Sequence, residues 1–189
     1  MKARNYNIMS DMSDDIKEIL INKSEIRKKV KQIGKKISKD YEGKELMLVG
    51  ILKGSVPFMA DLLREITIPC SMDFMAVSSY GSSTKSSGVV RILKDLDFEI
   101  EDKYILIVED IIDSGTTLSY LIEYLKGRKA KSIEIACLLN KPERRKVKVE
   151  AKYIGFEVPD YFLVGYGLDY AEKYRNFPYI GILKEEIYK

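Results

Sequence analysis

The sequence contains no histidine among its 189 residues. This absence excludes every mechanism that needs an imidazole as proton acceptor or as metal ligand. A general base in this protein therefore has to be a carboxylate, a lysine, a tyrosine or a cysteine. Any bound metal ion is expected to be a hard one with oxygen ligands, such as Mg²⁺.

Cysteines and long apolar runs are also scarce. The two cysteines, Cys70 and Cys137, lie far apart among apolar neighbours, which favours buried free thiols over a disulfide or a zinc site. No run of about 18 uncharged apolar residues occurs, so no membrane span is predicted. The first residues, MKARNYNIMSDMSDD, lack the apolar segment of a secretory signal. We therefore expect a cytoplasmic protein.

An excess of one charge is missing as well. The chain has 32 basic and 29 acidic residues, and a net charge of +3 is too balanced to indicate a nucleic acid partner. Apolar residues make up 46% of the sequence, enough for the core of one domain of ordinary size with an appended subdomain. We expect neither nucleic acid nor membrane as a partner.

Periodic apolar patterns predict alternating helices and strands. Asn22 to Glu25 form a capping box, and the stripe from Ile26 to Ile37 predicts an amphipathic helix after it. The run LMLVGIL, 46–52, predicts a buried strand, and Ser55 can cap the helix that follows. Further strands are predicted at 72–77, 89–93, 104–108, 133–139, 153–158 and 162–167, and a further helix at 118–125. This alternation indicates an α/β fold with a mostly parallel sheet, whose ligands bind at the carboxyl ends of strands.

The segment VEDIIDSGTTL, 108–118, lies at such a strand end. Its small residues Ser114, Gly115, Thr116 and Thr117 stand between a strand and a helix, where unpaired N–H groups and the helix dipole favour an anion. The two threonines add hydroxyl donors. The sequence therefore predicts a site for one phosphate group, which is not a Walker A loop because no GxxxxGK[ST] is present.

Three acidic residues share this segment. Because carboxylates repel phosphate, we expect Glu109 and Asp110 to face the vicinal hydroxyls of a ribose or a Mg²⁺ ion. Asp113 lies in the loop, where it can reach a second substrate. The alternative is a cluster of acids that caps the helix and offsets its dipole. Three acids followed by SGTT after a fully apolar strand favour the substrate site.

The motif VEDIIDSGTTL resembles the signature of the type I phosphoribosyltransferases. Four further segments, in the same order, resemble the hypoxanthine(-guanine) branch of that family in its bacterial form, over roughly residues 15 to 185. They are LKGS (52–55), SSYGSSTKSSG (78–88), LLNKPERR (138–145) and VGYGLDYAEKYRNFPYIGIL (164–183).

The resemblance implies a reaction between a purine base and 5-phosphoribosyl-1-pyrophosphate (PRPP), with Mg²⁺ as cofactor and these small molecules as partners. It implies that Glu109 and Asp110 hold the ribose hydroxyls and that Asp113 accepts a proton from the base and lies beside the 5′-phosphate loop of Ser114 to Thr117. The remaining implied residues are Lys53, Gly54 and Arg175 for pyrophosphate, Ser79 and Tyr80 for a lid, Lys141, Phe162, Leu163 and Asp169 for the purine, and Glu109, Asp110 and Asp169 for the metal.

Three of these implied roles carry a chemical argument. The ammonium of Lys141 would donate a hydrogen bond to the C6 oxygen of hypoxanthine or guanine, and it disfavours adenine, whose 6-amino group is itself a donor. Phe162 stacks on the base. The Lys53–Gly54 peptide can be cis in this family. A lid formed by Ser79 and Tyr80 would exclude water from the reactive sugar.

The implied fold is a twisted, mostly parallel sheet flanked by helices, with a small hood subdomain built from the chain ends. We expect one domain over 1–189, with a core of about 40–150 and a hood from the N-terminal segment and about 151–189. The resemblance also implies a homodimer or homotetramer.

Two other interpretations remain open. An enzyme that prefers xanthine is one, because discrimination at C2 depends on backbone carbonyls near Leu163 and Asp169 that a sequence does not locate. A regulator that binds RNA or DNA in response to PRPP is the other, with the basic cluster 141–148 as its surface. The retained catalytic positions, Asp113 and Lys141 among them, favour an enzyme that acts on hypoxanthine and guanine.

Overall fold

The computed structural model describes residues 12–79 and 90–189. Their strands form a six-stranded sheet in the order β4-β3-β2-β5-β6-β7 and a three-stranded sheet in the order β1-β9-β8. The elements are β1 (Ile16–Ile21), α1 (Lys23–Asp40), β2 (Leu46–Leu52), α2 (Val56–Glu65), β3 (Cys70–Ser79), β4 (Val90–Lys94), β5 (Tyr104–Ile112), α3 (Thr116–Lys126), β6 (Ser132–Asn140), β7 (Tyr153–Glu157), β8 (Leu163–Val164), β9 (Ile180–Leu183) and α4 (Glu185–Tyr188).

The large sheet is parallel except at one edge, where β4 pairs antiparallel with β3. Its two faces are covered by different helices. Leu106 and Val108 of β5 pack with α1 and α2, whereas Ile105 and Ile107 pack with α3. Burial on both faces explains why these strands read as continuous apolar runs. The predicted α/β fold, with a mostly parallel sheet flanked by helices, is therefore confirmed.

The strand order places a crevice between β2 and β5. The chain leaves β2 through α2 to β3 on one side, and β5 lies on the other side of β2 and continues to β6. Ligands of open α/β sheets bind outside the carboxyl ends of strands where the order reverses in this way. Lys53 and Asp113 directly follow β2 and β5 at this edge.

Two local predictions about helix starts had different outcomes. The capping box is confirmed, because Asn22 Oδ1 accepts from Glu25 N at 3.1 Å and Glu25 Oε2 accepts from Asn22 N at 2.8 Å. The capping role of Ser55 was wrong. Its backbone is already helical, so its hydroxyl donates to the Ile51 carbonyl at 2.6 Å instead of accepting from the helix. A buried hydroxyl needs such a partner.

The strands also differ in length from their predictions. β5 continues past Val108 to Ile112, because its pairing with β6 extends to Ile112 opposite Asn140. Glu109 and Asp110 therefore lie within a strand instead of after it. β8 is shorter than the predicted 162–167, because Gly165 and Tyr166 have φ values of 98° and 47° that end the extended backbone.

The small sheet contains strands from both ends of the described chain. β1 and β8 pair antiparallel with β9 between them. α1 and β7 lie with the large sheet, where α1 packs on α2. The division into a core of about 40–150 and a hood stays a prediction. Within 12–79 and 90–189, none of the helices is both long and apolar enough to cross a membrane.

Candidate active site

The loop after β2 makes unusually close backbone contacts. Its cis peptide joins Leu52 to Lys53, one bond before the Lys53–Gly54 peptide that the resemblance suggested. A Cβ atom added to Gly54 would lie 1.7 Å from Asp110 Oδ2, so this carboxylate packs directly on the Gly54 backbone. Gly54 also has a close neighbour in the segment after β8, because a Cβ atom added to Gly167 would lie 2.0 Å from the Gly54 carbonyl oxygen. Two glycines thus let the loop approach both β5 and the segment after β8.

The adjacent acids of β5 have different neighbours: Glu109 lines a small cavity beside the start of α3, whereas Asp110 packs on the Gly54 backbone. Burial, reinforced by the charge of Asp110, raises the pKa of Glu109 well above its usual value, and Glu109 Oε2 is buried with no hydrogen-bond partner. Burial likewise raises the pKa of Asp110 to about 6, although the charge of Arg175 opposes the rise. Glu109 thus lacks a donor at Oε2, whereas Asp110 Oδ1 accepts from Ile111 N at 2.9 Å.

The segment after β8 presents Arg175 to the same loop. Arg175 donates to the Gly167 carbonyl at 2.7 Å and pairs with Asp169 Oδ1 at 2.8 Å, while its Nε atom is buried without a partner. Glu172 N donates to Asp169 Oδ2 at 2.9 Å. The backbone is irregular here, with positive φ at Tyr166, Gly167, Ala171, Glu172 and Tyr174 among others.

One carboxylate in this segment was not predicted. Glu172 Oε2 lies 3.1 Å from Lys53 Nζ, and Glu172 Oε1 lies 3.4 Å from Arg175 Nη2. The hydrogen bond from Lys53 lowers the pKa of Glu172. The two cations predicted to bind pyrophosphate thus share one acidic neighbour. Nothing in the local sequence AEKYR identifies a partner 119 residues away.

The predicted phosphate loop lies at the start of α3. Gly115 precedes the helix with φ of 80°, and an added Cβ would lie 3.3 Å from the Arg145 side chain. A small cavity of about 90 Å³ has Glu109, Asp113, Ser114, Gly115 and Thr117 in its lining. The hydroxyl of Thr116 is not in this lining and lies 3.3 Å from Ser114 Oγ. The first N–H groups of α3 have no partner within the helix, as anion binding requires.

A larger cavity of about 470 Å³ lies beside the phosphate loop. It brings together all five residues predicted to contact the purine, which are Asp113, Lys141, Phe162, Leu163 and Asp169. Six further residues line it without having been predicted, namely Ile111, Arg144, Asp160, Tyr161, Leu168 and Tyr188.

Charged groups in this cavity are linked in pairs. Lys141 is buried, and its Nζ atom donates to the Tyr161 carbonyl at 2.6 Å and lies 3.5 Å from Asp160 Oδ1. Arg144 donates from Nε to Asp113 Oδ1 at 2.8 Å and lies 3.3 Å from Asp160 Oδ2. The charge of Asp113 raises the pKa of Arg144. In the sequence, Arg144 is one cation in a basic run, which gives no sign of this pairing.

Phe162 is surrounded by aromatic rings. The ring of Tyr188 stacks on it with centroids 4.7 Å apart at 25°, and Tyr170 meets it edge-on at 5.4 Å. Phe162 nevertheless stays partly exposed. It also lines the large cavity, so part of the residue is accessible from there.

Two predicted elements are less well defined. Ser79 is the last residue of β3, and the predicted lid residue Tyr80 lies outside the described residues. For the predicted metal ligands, no group of three histidine, cysteine or acidic side chains with metal-binding spacing occurs in the described ranges. Burial is the main cause of the raised pKa of Asp110, and the charge of the nearby Asp169 adds to the rise.

Known proteins resemble this chain over most of its length. Residues 15–171 match the family model described as the phosphoribosyl transferase domain. The chain is 57% identical to the hypoxanthine-guanine phosphoribosyltransferase of Bacillus subtilis (strain 168), over 94% of this chain and 99% of that protein. A crystal structure of a hypoxanthine phosphoribosyltransferase from Staphylococcus aureus has a TM-score of 0.92 at 53% identity, covering 95% of this chain and 97% of that one.

Some relatives are much longer. The chain is 53% identical to the bifunctional protein TilS/HprT of Listeria monocytogenes serotype 4b (strain F2365), over 98% of this chain and 29% of that protein. The chain thus spans less than a third of these bifunctional relatives.

Proposed function

The chain belongs to the phosphoribosyltransferase family, and on that premise we propose that it catalyses purine salvage. The reaction transfers the 5-phosphoribosyl group of PRPP to N9 of hypoxanthine, and of guanine, giving IMP or GMP and pyrophosphate. The observation that carries the proposal is the single cavity that joins Asp113, Lys141 and Phe162 and lies beside the phosphate loop of α3.

On the base side, Lys141 is proposed to recognise the C6 oxygen. An ammonium group has three donors, and Tyr161 O accepts one of them at 2.6 Å, so a further N–H remains for the base. Asp113 is proposed to take the proton from the purine N–H as the bond from N9 to C1′ forms. Because the chain has no histidine, a carboxylate is the residue type that suits this task.

On the PRPP side, the unpartnered Glu109 Oε2 supports a role in accepting a hydrogen bond from a ribose hydroxyl, together with Asp110. Ser114 to Thr117 are proposed to bind the 5′-phosphate. Lys53, the Gly54 backbone and Arg175 are proposed to stabilise the departing pyrophosphate. Ser79 and Tyr80 are proposed to open a lid over these groups.

Magnesium fits the acids on the Gly54 side. Mg²⁺ is typically held by one or two carboxylates together with substrate phosphates, and Asp110 and Asp169 are the carboxylates proposed here. Burial raises the pKa of Asp110, and a bound cation would favour its charged form. When bound, the ion would neutralise charge on the pyrophosphate; Glu109 is the third ligand that the resemblance implies.

The relatives support the same reaction and give no support to a xanthine-preferring enzyme or a silent regulator. We further propose a homodimer or homotetramer, for which the exposed side chains of Leu93 and Phe98 offer apolar contact area. A cytoplasmic location is also proposed, because the free cysteines Cys70 and Cys137 suit a reducing compartment.

The test is a spectrophotometric assay of the purified protein with PRPP and Mg²⁺ against hypoxanthine, guanine, xanthine and adenine in parallel. We expect turnover of hypoxanthine and guanine, slower turnover of xanthine and none of adenine. Fastest turnover of xanthine would replace the proposed specificity. No turnover of any base, with PRPP still bound in a calorimeter, would reject the enzyme and make RNA and DNA binding the next measurement.

A further inference from the structure

Tyr188 is an unassigned aromatic residue at the base cavity. It belongs to α4, a single helical turn, and its ring lines the cavity that holds Asp113 and Lys141. It also stacks on Phe162 with centroids 4.7 Å apart at 25°. Offset-stacked aromatic pairs of this geometry contribute beyond the area that they bury.

Phe162 has two aromatic neighbours. Tyr188 occupies one face, and Tyr170 contacts the ring at 5.4 Å and 89°. Phe162 is still partly exposed and lines the cavity, and the face opposite Tyr188 is the one assigned here to a base. A purine can use that face while Tyr188 stays in place, so the base, Phe162 and Tyr188 would form three stacked layers.

The position of Tyr188 is fixed by the chain around it. Lys184 N donates to the Asp15 carbonyl at 2.9 Å, and Ile187 packs in the same aromatic cluster as Phe162. The Asp15 carboxylate accepts from the Tyr174 hydroxyl at 2.7 Å. Asp15 therefore ties the turn that carries Tyr188 to the segment that carries Arg175.

We propose that Tyr188 is a positioning residue for the purine: it backs Phe162 and holds that ring at the orientation in which a base stacks on it. A ring that contacts a substrate keeps a productive orientation only if its own rotamer is held by packing behind it. The proposal rests on the proposed function, because it concerns binding of the base in the same cavity. It adds a residue that affects base binding without acting on PRPP.

The experiment compares Tyr188→Ala and Tyr188→Phe with the unsubstituted protein. For Tyr188→Ala we expect the KM for hypoxanthine to rise about 2- to 12-fold, the size of one aromatic pair, with the KM for PRPP unchanged. Tyr188→Phe keeps the stacked ring and should restore the KM for hypoxanthine. The affinity for IMP, measured by calorimetry, should likewise fall in Tyr188→Ala and recover in Tyr188→Phe.

Tyr179→Ala is the matched control. Tyr179 is also half-buried and stacks on Phe177 at 5.0 Å and 12° in the same cluster, but it does not line the cavity. This variant should lower the melting temperature without raising the KM for hypoxanthine relative to the KM for PRPP. If Tyr188→Ala raises both KM values equally, as general loosening would, the positioning role is rejected.

Two other outcomes also decide the matter. A lower KM for hypoxanthine in Tyr188→Ala would mean that Tyr188 obstructs the base and would overturn the proposal. An unchanged KM would overturn it as well. Failure of the unsubstituted protein to convert hypoxanthine would instead reject the proposed function, so the two failures are distinguishable.

Discussion

The candidate site has a proposed base side, the cavity lined by Asp113 and Lys141, and a proposed pyrophosphate side, formed by Lys53, Gly54 and Arg175. The two sides meet at Asp169 but are built in different ways. On the base side, charged side chains meet one another across a cavity of about 470 Å³, as in the pair of Arg144 and Asp113. On the pyrophosphate side, backbone packs on backbone, as where Gly167 approaches the Gly54 carbonyl.

This difference decides what each side tolerates. The pairs of Arg144 with Asp113 and Asp160 are partly exposed, and exposed ion pairs can be exchanged at little cost in stability. The contacts of Gly54 leave no room for a single added carbon atom. We therefore expect substitutions on the base side to change chemistry or base recognition, and substitutions on the pyrophosphate side to change PRPP binding first.

The largest effect is expected on the base side, from Asp113→Asn. If Asp113 accepts the purine proton, this change should lower kcat by roughly 10²–10⁴-fold, because asparagine cannot take up a proton. PRPP affinity, measured by calorimetry, should be kept. Asp160→Asn is the control, since Asp160 also pairs with Arg144 and lines the same cavity. Turnover of Asp113→Asn equal to that of the control would remove Asp113 from the role of base.

Next in size is Gly54→Ala on the pyrophosphate side. The new methyl group would overlap Asp110 Oδ2, so the carboxylate or the loop has to move by about 1 Å or more, and such displacements can cost roughly 10²-fold. The KM for PRPP should rise much more than the KM for the base. Gly127→Ala is the control, because the atom nearest to its added Cβ is 3.4 Å away. If Gly54→Ala and Gly127→Ala have the same KM for PRPP, the close contact of Gly54 with Asp110 does not matter for PRPP binding and the prediction is wrong.

The third prediction separates the two sides by recognition. Lys141→Met keeps the buried stem and removes the ammonium, so the KM for hypoxanthine should rise about 10- to 100-fold, as for a lost hydrogen bond from a charged donor. The KM for PRPP should change little. Lys94→Met is the comparison, since Lys94 pairs with Asp73 on the far edge of the sheet. A matching rise in both KM values for Lys141→Met would indicate general destabilisation.

The fold was predictable where the physics is local. Apolar runs specified the parallel strands, and Asn22 with Glu25 specified the start of α1. The end of β5 was predicted too early, because the acids Glu109 and Asp110 were assumed to end a strand that β6 in fact continues to pair. Pairing between strands is a tertiary effect that overrides local polarity.

The candidate site was predictable for another reason. The four residues predicted for the purine, and Asp113 as predicted proton acceptor, were identified by resemblance to a family, and all five line one cavity. Arg144, Glu172 and Tyr188 were missed because each acquires its meaning from a distant contact. A cation in a basic run, an acid in AEKYR and a tyrosine after IGILKEEI have no local signal of the partners that the fold supplies.

The smallest expected effect tests the pyrophosphate side for an internal competitor. Glu172 pairs with both Lys53 and Arg175, and if these cations bind pyrophosphate as proposed, an incoming pyrophosphate group would have to take them from it. Glu172→Gln should therefore tighten binding of PRPP and of pyrophosphate by about two- to fivefold, the range of an exposed ion pair. Glu123→Gln removes a similar exposed pair with Lys126 on α3 and should leave both affinities unchanged. Weaker binding in Glu172→Gln would mean that Glu172 orients the two cations for the ligand. The pyrophosphate side would then depend on side-chain pairing as the base side does, and the contrast between the two would rest on Gly54 and Gly167 alone.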